Sequence, residues 1–276
     1  MINRRSDEQS GILIVGNYCH DTLILPTGTY ETLGGSSSYI SAAFSSLPST
    51  RFNVIAKVGV DFLYNQRITA PPLIAKNVPT THFVDDLTGK IRTERVKAVC
   101  APIFATDIPK SRAKIGIACG VAMEIMPETV QRMRGVCDLV VADAQALLRE
   151  IDQDGKVFLK RLVETEFCEM LDRFDFIKAS EHEAKFIDIS AVRKKTTMII
   201  TKGPAGCSLI NEKQEVDIPT TPVEEVDSTG AGDCFLAGFT HGLLNGLSVE
   251  EAAKRGNSFG AFAVKQVGVP NFKNYV

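Results

Sequence analysis

The stretch "VDSTGAGDCFLAGF", Val226 to Phe239, sets two glycines and a carboxylate at the mouth of an apolar run. Phe235, Leu236, Phe239, Leu243 and Leu244 recur at spacings of three and four, which predicts the buried face of a helix opened by Gly230. The first amides of such a helix lack intrahelical partners, and its aligned peptide dipoles place roughly half a positive charge there. Gly230 and Gly232 carry no side chain that would block close approach, so the turn suits a phosphate or a developing oxyanion. Asp233 falls in the first turn, where its carboxylate is favoured; it is expected to be ionised near neutral pH and able to take a proton from a hydroxyl. For a bare G-x-G-D, a glycine turn whose carboxylate only counters the dipole is the plainer account.

Outward from this helix, the second half of the chain alternates strand and helix. "AKIGIAC" (113–119) precedes "PETVQRMRG" (127–135), "CDLVVAD" (137–143) precedes "AQALLRE" (144–150), and "FDFIKAS" (174–180) precedes "EHEAKFID" (181–188). "TTMIITKG" follows a basic segment. In the first half, "GILIVG" (11–16) and "RFNVIAKVG" (51–59) read as buried strands, and "SSSYISAAFSSL" (36–47) as a helix that starts after Gly34-Gly35 and stops before Pro48. "TLILP", "TYETL", "THFVD" and "KIRTERVKAV" read as short strands, the last two alternating polar with apolar as half-exposed strands do. The expected fold class is α/β: one domain over residues 1–276, a doubly wound, mostly parallel sheet flanked by helices, with a small antiparallel β lid from about 22–33 and 80–100.

Composition narrows the function. The chain has 276 residues, 44% hydrophobic and 23% charged, enough for a sizeable core. Its 31 basic and 33 acidic residues give a net charge of −2, so no general footprint for nucleic acid exists and an anion site must be built locally. Seven scattered cysteines without a C-x-x-C pair read as reduced thiols in a cytoplasmic or nuclear setting. "MINRRSDEQS" reads as a loose terminus and no secretory signal, and no apolar run is long enough for a membrane span. There is no G-x-x-x-x-G-K-[ST], and no G-x-G-x-x-G follows the first strand, which disfavours P-loop and dinucleotide folds. Gly238 and Gly242 are explained by close helix packing. His20, His82, His182 and His241 lack metal spacing and read as surface or supporting residues. Cys234 reads as a small apolar filler.

The longer string D-S/T-x-G-A-G-D-x-F resembles the C-terminal signature of the ribokinase-like (PfkB) carbohydrate kinases. The resemblance implies that Asp233 is the catalytic base, that Gly230, Ala231 and Gly232 form the anion hole, and that Asp227 lies near a monovalent cation such as K+. It implies that Asp21 binds acceptor hydroxyls, whereas a turn aspartate is the plainer reading. Gly34 and Gly35 match the family's double glycine, where backbone approaches substrate. "KASEHEAKF" corresponds to the family's N-x-x-E, with Glu183 helping to place Mg2+ through water and Ser180 standing where the asparagine would be. Taken alone, Ser180 and Glu183 form a helix capping box. Thr201, Lys202, Gly203 and Gly206 fall beside the nucleotide by the same resemblance, and Asn257 near the adenine; without it, Asn257 is an exposed mid-helix residue.

One departure points to the acceptor. "GGSSSY" puts Tyr39 where sugar kinases of this family carry an asparagine, so the substrate surface differs. The patterns around "IVGNYCHD", "ETLGGSSSY" and "DFIKASEHEA" look closer to plant-type inositol 3-kinases than to ribokinase or fructokinase. The implied reaction is ATP-dependent phosphorylation of myo-inositol, with another sugar or nucleoside, or a catalytically silent scaffold, as alternatives. Charges at Lys90, Arg92, Glu94, Arg95 and Lys97 on the lid edge favour a monomer over a dimer.

Overall fold

The computed structural model describes residues 10–48, 50–89 and 93–275. The expected loose terminus and the edge charges at Lys90 and Arg92 therefore lie outside the described residues. The chain opens with β1 (Ser10–Val15), β2 (Cys19–Leu25), β3 (Gly28–Gly34) and α1 (Ser36–Ser45). Then come β4 (Phe52–Ile55), the short β5 (Lys57–Val58) and β6 (Leu73–Ile74), and β7 (His82–Asp86) with β8 (Thr93–Ala98). The alternating half runs β9 (Ala113–Ala118), α2 (Pro127–Val136), β10 (Cys137–Asp143), α3 (Gln145–Leu148), β11 (Arg149–Ile151), β12 (Val157–Leu159) and β13 (Phe176–Ser180). It continues through α4 (Glu181–Ala184), α5 (Ile189–Val192), β14 (Thr197–Thr201), β15 (Cys207–Ile210) and β16 (Glu215–Ile218), and closes with α6 (Ala231–Leu244) and α7 (Val249–Ala263).

Eight strands form the central sheet in the order β16-β15-β14-β13-β10-β9-β1-β4. Pairing is parallel from β4 through β14 and antiparallel only for β14/β15 and β15/β16. Strand periodicity divides the core between two faces. Ile12, Ile14 and Ile199 point to the layer of α1, α6 and α7, while Leu13, Val15, Met198 and Ile200 point to the layer of α2. The α6 and α7 backbones meet through glycine. A Cβ on Gly238 would stand 2.7 Å from the Arg255 carbonyl oxygen, and one on Gly242 2.9 Å from Ala252 Cα. The G-x-x-x-G spacing is a packing feature, as expected.

The lid is a four-stranded sheet, β3-β2-β7-β8. Its outer pairs are antiparallel, as expected, and its central pair β2/β7 is parallel. Two expected helices are shorter than their patterns. The "AQALLRE" segment makes one turn and then becomes β11, because Arg149 to Ile151 pairs antiparallel with β12. "EHEAKFID" is helical only over α4. Both places lie at the carboxyl ends of parallel strands, where an open α/β sheet presents its crevice.

Candidate active site

Gly230 caps α6 in the left-handed conformation, φ +74°, and a Cβ there would stand 2.1 Å from Tyr39 Cδ1. Only glycine fits that turn beside the ring. The Ala231 amide bonds back to the Ser228 carbonyl, whereas the next amides, of Gly232 and Asp233, find no carbonyl partner among the described residues. The helix mouth therefore offers bare N–H donors, as its sequence suggested.

Asp233 is half-buried at this mouth, next to Ser36 of α1, with its Oδ1 enclosed. Its Oδ1 has no hydrogen-bond partner among the described residues. Burial, with the nearby Asp143 carboxylate, pushes its carboxyl up to about 6, against the pull of Lys178, the Ser36 hydroxyl and Arg149. The favourable dipole expected from sequence is thus outweighed by desolvation, yet a carboxyl at about 6 is still largely ionised near neutral pH.

On one side of the turn lies a polar cavity of about 170 Å³. Asp21 of β2, Tyr39, Asp85 of β7, Glu94 of β8, Arg149 and Asp233 line it, together with Gly35 and Gly230. Asp21 is a mid-strand residue, not a turn aspartate, and a Cβ on Gly34 would collide with its carboxylate at 1.9 Å. Gly35, φ +83°, passes so near the Asn17 carbonyl that a Cβ would stand 2.4 Å from it. The double glycine thus lets the lid strand carry Asp21 into the cavity. Burial and the carboxylates of Asp21 and Asp233 push the Tyr39 phenol well above its ordinary range, so it faces the cavity as a neutral donor.

Arg149 crosses from the core to the lid. Its Nη1 donates to Glu94 Oε1 at 3.1 Å and to the Val121 carbonyl at 3.2 Å. Glu94, expected as an outward edge charge, instead faces the cavity. The Val121 loop is held by the buried Glu124, whose Oε2 accepts from the amides of Val121 and Ala122 at 2.9 and 2.7 Å.

On the other side of the turn is a largely apolar slot of about 160 Å³. Thr201, Gly203, Gly206, Val223, Phe235, Asn257 and Val264 are among its walls. Asn257 is buried, with Nδ2 donating to the Ile218 carbonyl at 3.0 Å; the exposed alternative does not hold. Lys202 does not reach the slot. Its ammonium turns to Asp217 on β16 at 2.8 Å. Ser228 lines both spaces, Ala231 and Gly232 line the slot, and Gly230 and Asp233 line the cavity, so this one turn is the partition.

Ser180 and Glu183 form the capping box that the spacing allows. Glu183 Oε2 accepts from the Ser180 amide and hydroxyl at 2.7 and 2.8 Å. Burial opposes the charge on Glu183, but Lys178 and the Ser180 donors overcome it and hold the carboxyl below its usual range. The Asp227 carboxylate ties two segments, accepting from the Thr229 amide at 2.9 Å and the Gly268 amide at 3.2 Å. Among the described residues, no group of three or more His, Cys, Asp or Glu side chains gathers to hold a metal ion.

Sequence reasoning missed the residues with no local pattern around them: Asp143, Lys178, Arg149, Asp85, Gln145 and Ser36. Gln145 donates to Ser36 Oγ at 2.9 Å. Lys178 and Asp143 are both buried and paired at 2.8 Å. A lysine within one apolar strand and an aspartate at the end of another were the available signal, since an unpaired charge is seldom buried.

The central sheet and the lid are those of the ribokinase-like fold. A pyrophosphate-dependent kinase in the ribokinase family, complexed with a pyrophosphate analog and myo-inositol, shares this fold with a TM-score of 0.77 at 18% identity, covering 95% of this chain and 98% of that one. The model of the pfkB family carbohydrate kinases matches residues 127–273. Inositol 3-kinases of Arabidopsis thaliana and Zea mays are each 41% identical to this chain, covering 95% and 94% of it and 76% and 73% of their own lengths. The chain belongs to the pfkB family of carbohydrate kinases. As a member it is an ATP-dependent kinase of a sugar or polyol hydroxyl.

Proposed function

We propose that the protein transfers the γ-phosphoryl group of ATP to a hydroxyl of myo-inositol, as an inositol 3-kinase. The observation that carries this reading is the partition. One glycine turn presents bare amides toward the slot and an unpartnered carboxylate oxygen toward the polar cavity. In this reading Asp233 takes the hydroxyl proton, the freed oxygen attacks phosphorus, and the Gly230–Gly232 turn stabilises charge on the moving group.

The cavity suits a neutral ring polyol. Asp21, Asp85, Glu94 and Asp233 offer hydroxyl acceptors, and Tyr39 and Gln145 offer donors. Among the described residues its one guanidinium, Arg149, is engaged by Glu94, which leaves no cationic pair there to hold a sugar phosphate. Identity of 41% to two inositol 3-kinases supports the same acceptor.

The apolar slot favours a nucleotide over pyrophosphate as donor, since a base has a face to bury there and pyrophosphate has none. Thr201, Gly203, Gly206 and Asn257 are its proposed nucleotide contacts. Glu183 would hold Mg2+ through water, and the ion would supply charge neutralisation there. Asp227 would serve K+ by fixing the loop at Gly268. Seven free cysteines, six of them buried, support a reducing, cytoplasmic setting. No helix among the described residues is long and apolar enough to cross a membrane.

The test is incubation of purified protein with ATP, Mg2+ and a panel of myo-inositol, ribose, fructose and adenosine, with NMR of the product. Stoichiometric ADP release with myo-inositol and phosphorylation at one ring position is expected. Turnover of another panel member with inositol untouched would replace the acceptor, and turnover with pyrophosphate in place of ATP would replace the donor.

A further inference from the structure

Beneath the glycine turn lies a buried cation that the capping box and the signature turn leave unaccounted for. Lys178, on β13, sends its ammonium to Asp143 Oδ2 at 2.8 Å; the two side chains are 7% and 1% exposed. A structural ion pair between register partners of two neighbouring strands would explain this contact. It would not explain Gly232. A Cβ on Gly232 would stand 2.6 Å from Lys178 Nζ and 3.4 Å from its Cε, so the ammonium reaches up to the helix mouth and glycine keeps the space above it clear. An ammonium has three N–H donors, and Asp143 is its hydrogen-bond partner among the described residues. The Lys178 Nζ comes closest to the turn at Gly232, whose amide, like that of Asp233, has no carbonyl partner among the described residues.

We propose that Lys178 is a catalytic residue that donates directly to the phosphoryl group in transfer, with Asp143 as the positioning residue that aims its ammonium. The inference rests on the kinase reading of this site and not on myo-inositol as the acceptor. In the transfer, the bond between phosphorus and the bridging oxygen breaks and its electron pair leaves with the nucleoside diphosphate. A bond forms from phosphorus to the acceptor oxygen, whose proton passes to Asp233. Lys178 keeps its proton throughout. Burial opposes its charge, but Asp143, Glu183 and Asp233 surround the ammonium and hold it above the ordinary lysine range. It is therefore a fixed positive charge and cannot be a base. A preorganised donor of this kind acts on the charge that develops at the phosphoryl oxygens, not on ground-state binding.

The test compares the wild type with Lys178→Met and with the double variant Lys178→Met/Asp143→Leu. The double variant removes both charges, so no uncompensated carboxylate is left buried and the fold is kept. Two readouts are taken: kcat on the protein's own acceptor, and the affinities for ADP alone and for ADP with Mg2+ and aluminium fluoride, a mimic of the phosphoryl group in flight. The binding readout needs no acceptor, so failure of myo-inositol as substrate leaves it intact. The expected result is a fall in kcat of about 10²–10³-fold, ADP affinity within a few-fold of wild type, and loss of the extra affinity conferred by aluminium fluoride in both variants. If the double variant kept kcat within threefold, or kept the full aluminium fluoride enhancement, Lys178 would be a structural residue only. A parallel loss of ADP and ADP–fluoride affinity in a folded double variant would also overturn the assignment.

Discussion

Gly230 and Tyr39 claim the same volume: a Cβ on the glycine would lie 2.1 Å from Cδ1 of the ring and 2.2 Å from Cε1. The turn proposed as the anion site is thereby moulded against the residue proposed to shape the acceptor pocket. Gly230→Ala is expected to destabilise the protein by about 1–2 kcal/mol through its left-handed backbone alone, with further loss from displacement of the ring. Adding Tyr39→Ala should recover the second part. Urea midpoints of the two single variants and the double variant check this, and strictly additive losses would show that the two residues do not share the space.

Asp233→Asn should lower kcat by at least about 10²-fold while the fold and ATP binding persist. Stability should move the other way. Burial raises the carboxyl from 3.8 to about 6, so the folded state holds its proton more tightly than the unfolded state. Below pH 4 both states are protonated and no penalty exists. As pH rises through 6 the folded protein must ionise a buried acid, a penalty of roughly 3 kcal/mol above that range. The asparagine variant should therefore melt higher than wild type at pH 7.5 and with it below pH 4. In wild type, kcat/KM should fall on acidification with an apparent midpoint near 6. A flat acid limb would remove Asp233 as the base.

Glu183→Gln keeps an oxygen that can accept from the Ser180 amide and hydroxyl, so α4 should survive. It loses the charge that Lys178 and Ser180 maintain. The Mg2+ concentration for half-maximal activity is expected to rise about tenfold or more, in the range for lost support of a bound metal, with Tm nearly unchanged. A large fall in Tm with an unaltered Mg2+ curve would leave Glu183 only its capping role.

Ala261 lines the apolar slot, away from the polar cavity. Ala261→Phe should fill that slot and raise KM for ATP about tenfold or more, the scale of losing a buried apolar contact, while KM for the acceptor stays the same. Equal effects on both constants would mean that the slot does not hold the base.

Arg149 ties the lid's Glu94 to the core's Val121 carbonyl. Arg149→Met is expected to raise KM for the polyol about tenfold, with a smaller change in KM for ATP. Glu94→Gln should give part of the same effect, and calorimetric titration of the polyol checks both.

Local chemistry made much of this protein legible in its sequence. The glycine turn at 230–232 with Asp233 behind it, the capping box of Ser180 and Glu183 and the strand–helix rhythm are all written within a few residues. Backbone sterics and periodic burial act at that range. The two-sided core and the packing role of Gly238 and Gly242 followed from the same periods. What tertiary structure decided is where isolated charges end up. Lys202 is adjacent to the slot in sequence but turns away, because the β15/β16 hairpin brings Asp217 within its reach. Glu94 faces Arg149 only because the lid folds over β11. Lys178 meets Gly232 and Asp143 across 54 and 35 residues of chain, a meeting set by parallel strand order and by the position of α6 above it. No local spacing encodes such contacts. The sheet assembles them, and desolvation there outweighs the helix dipole at Asp233.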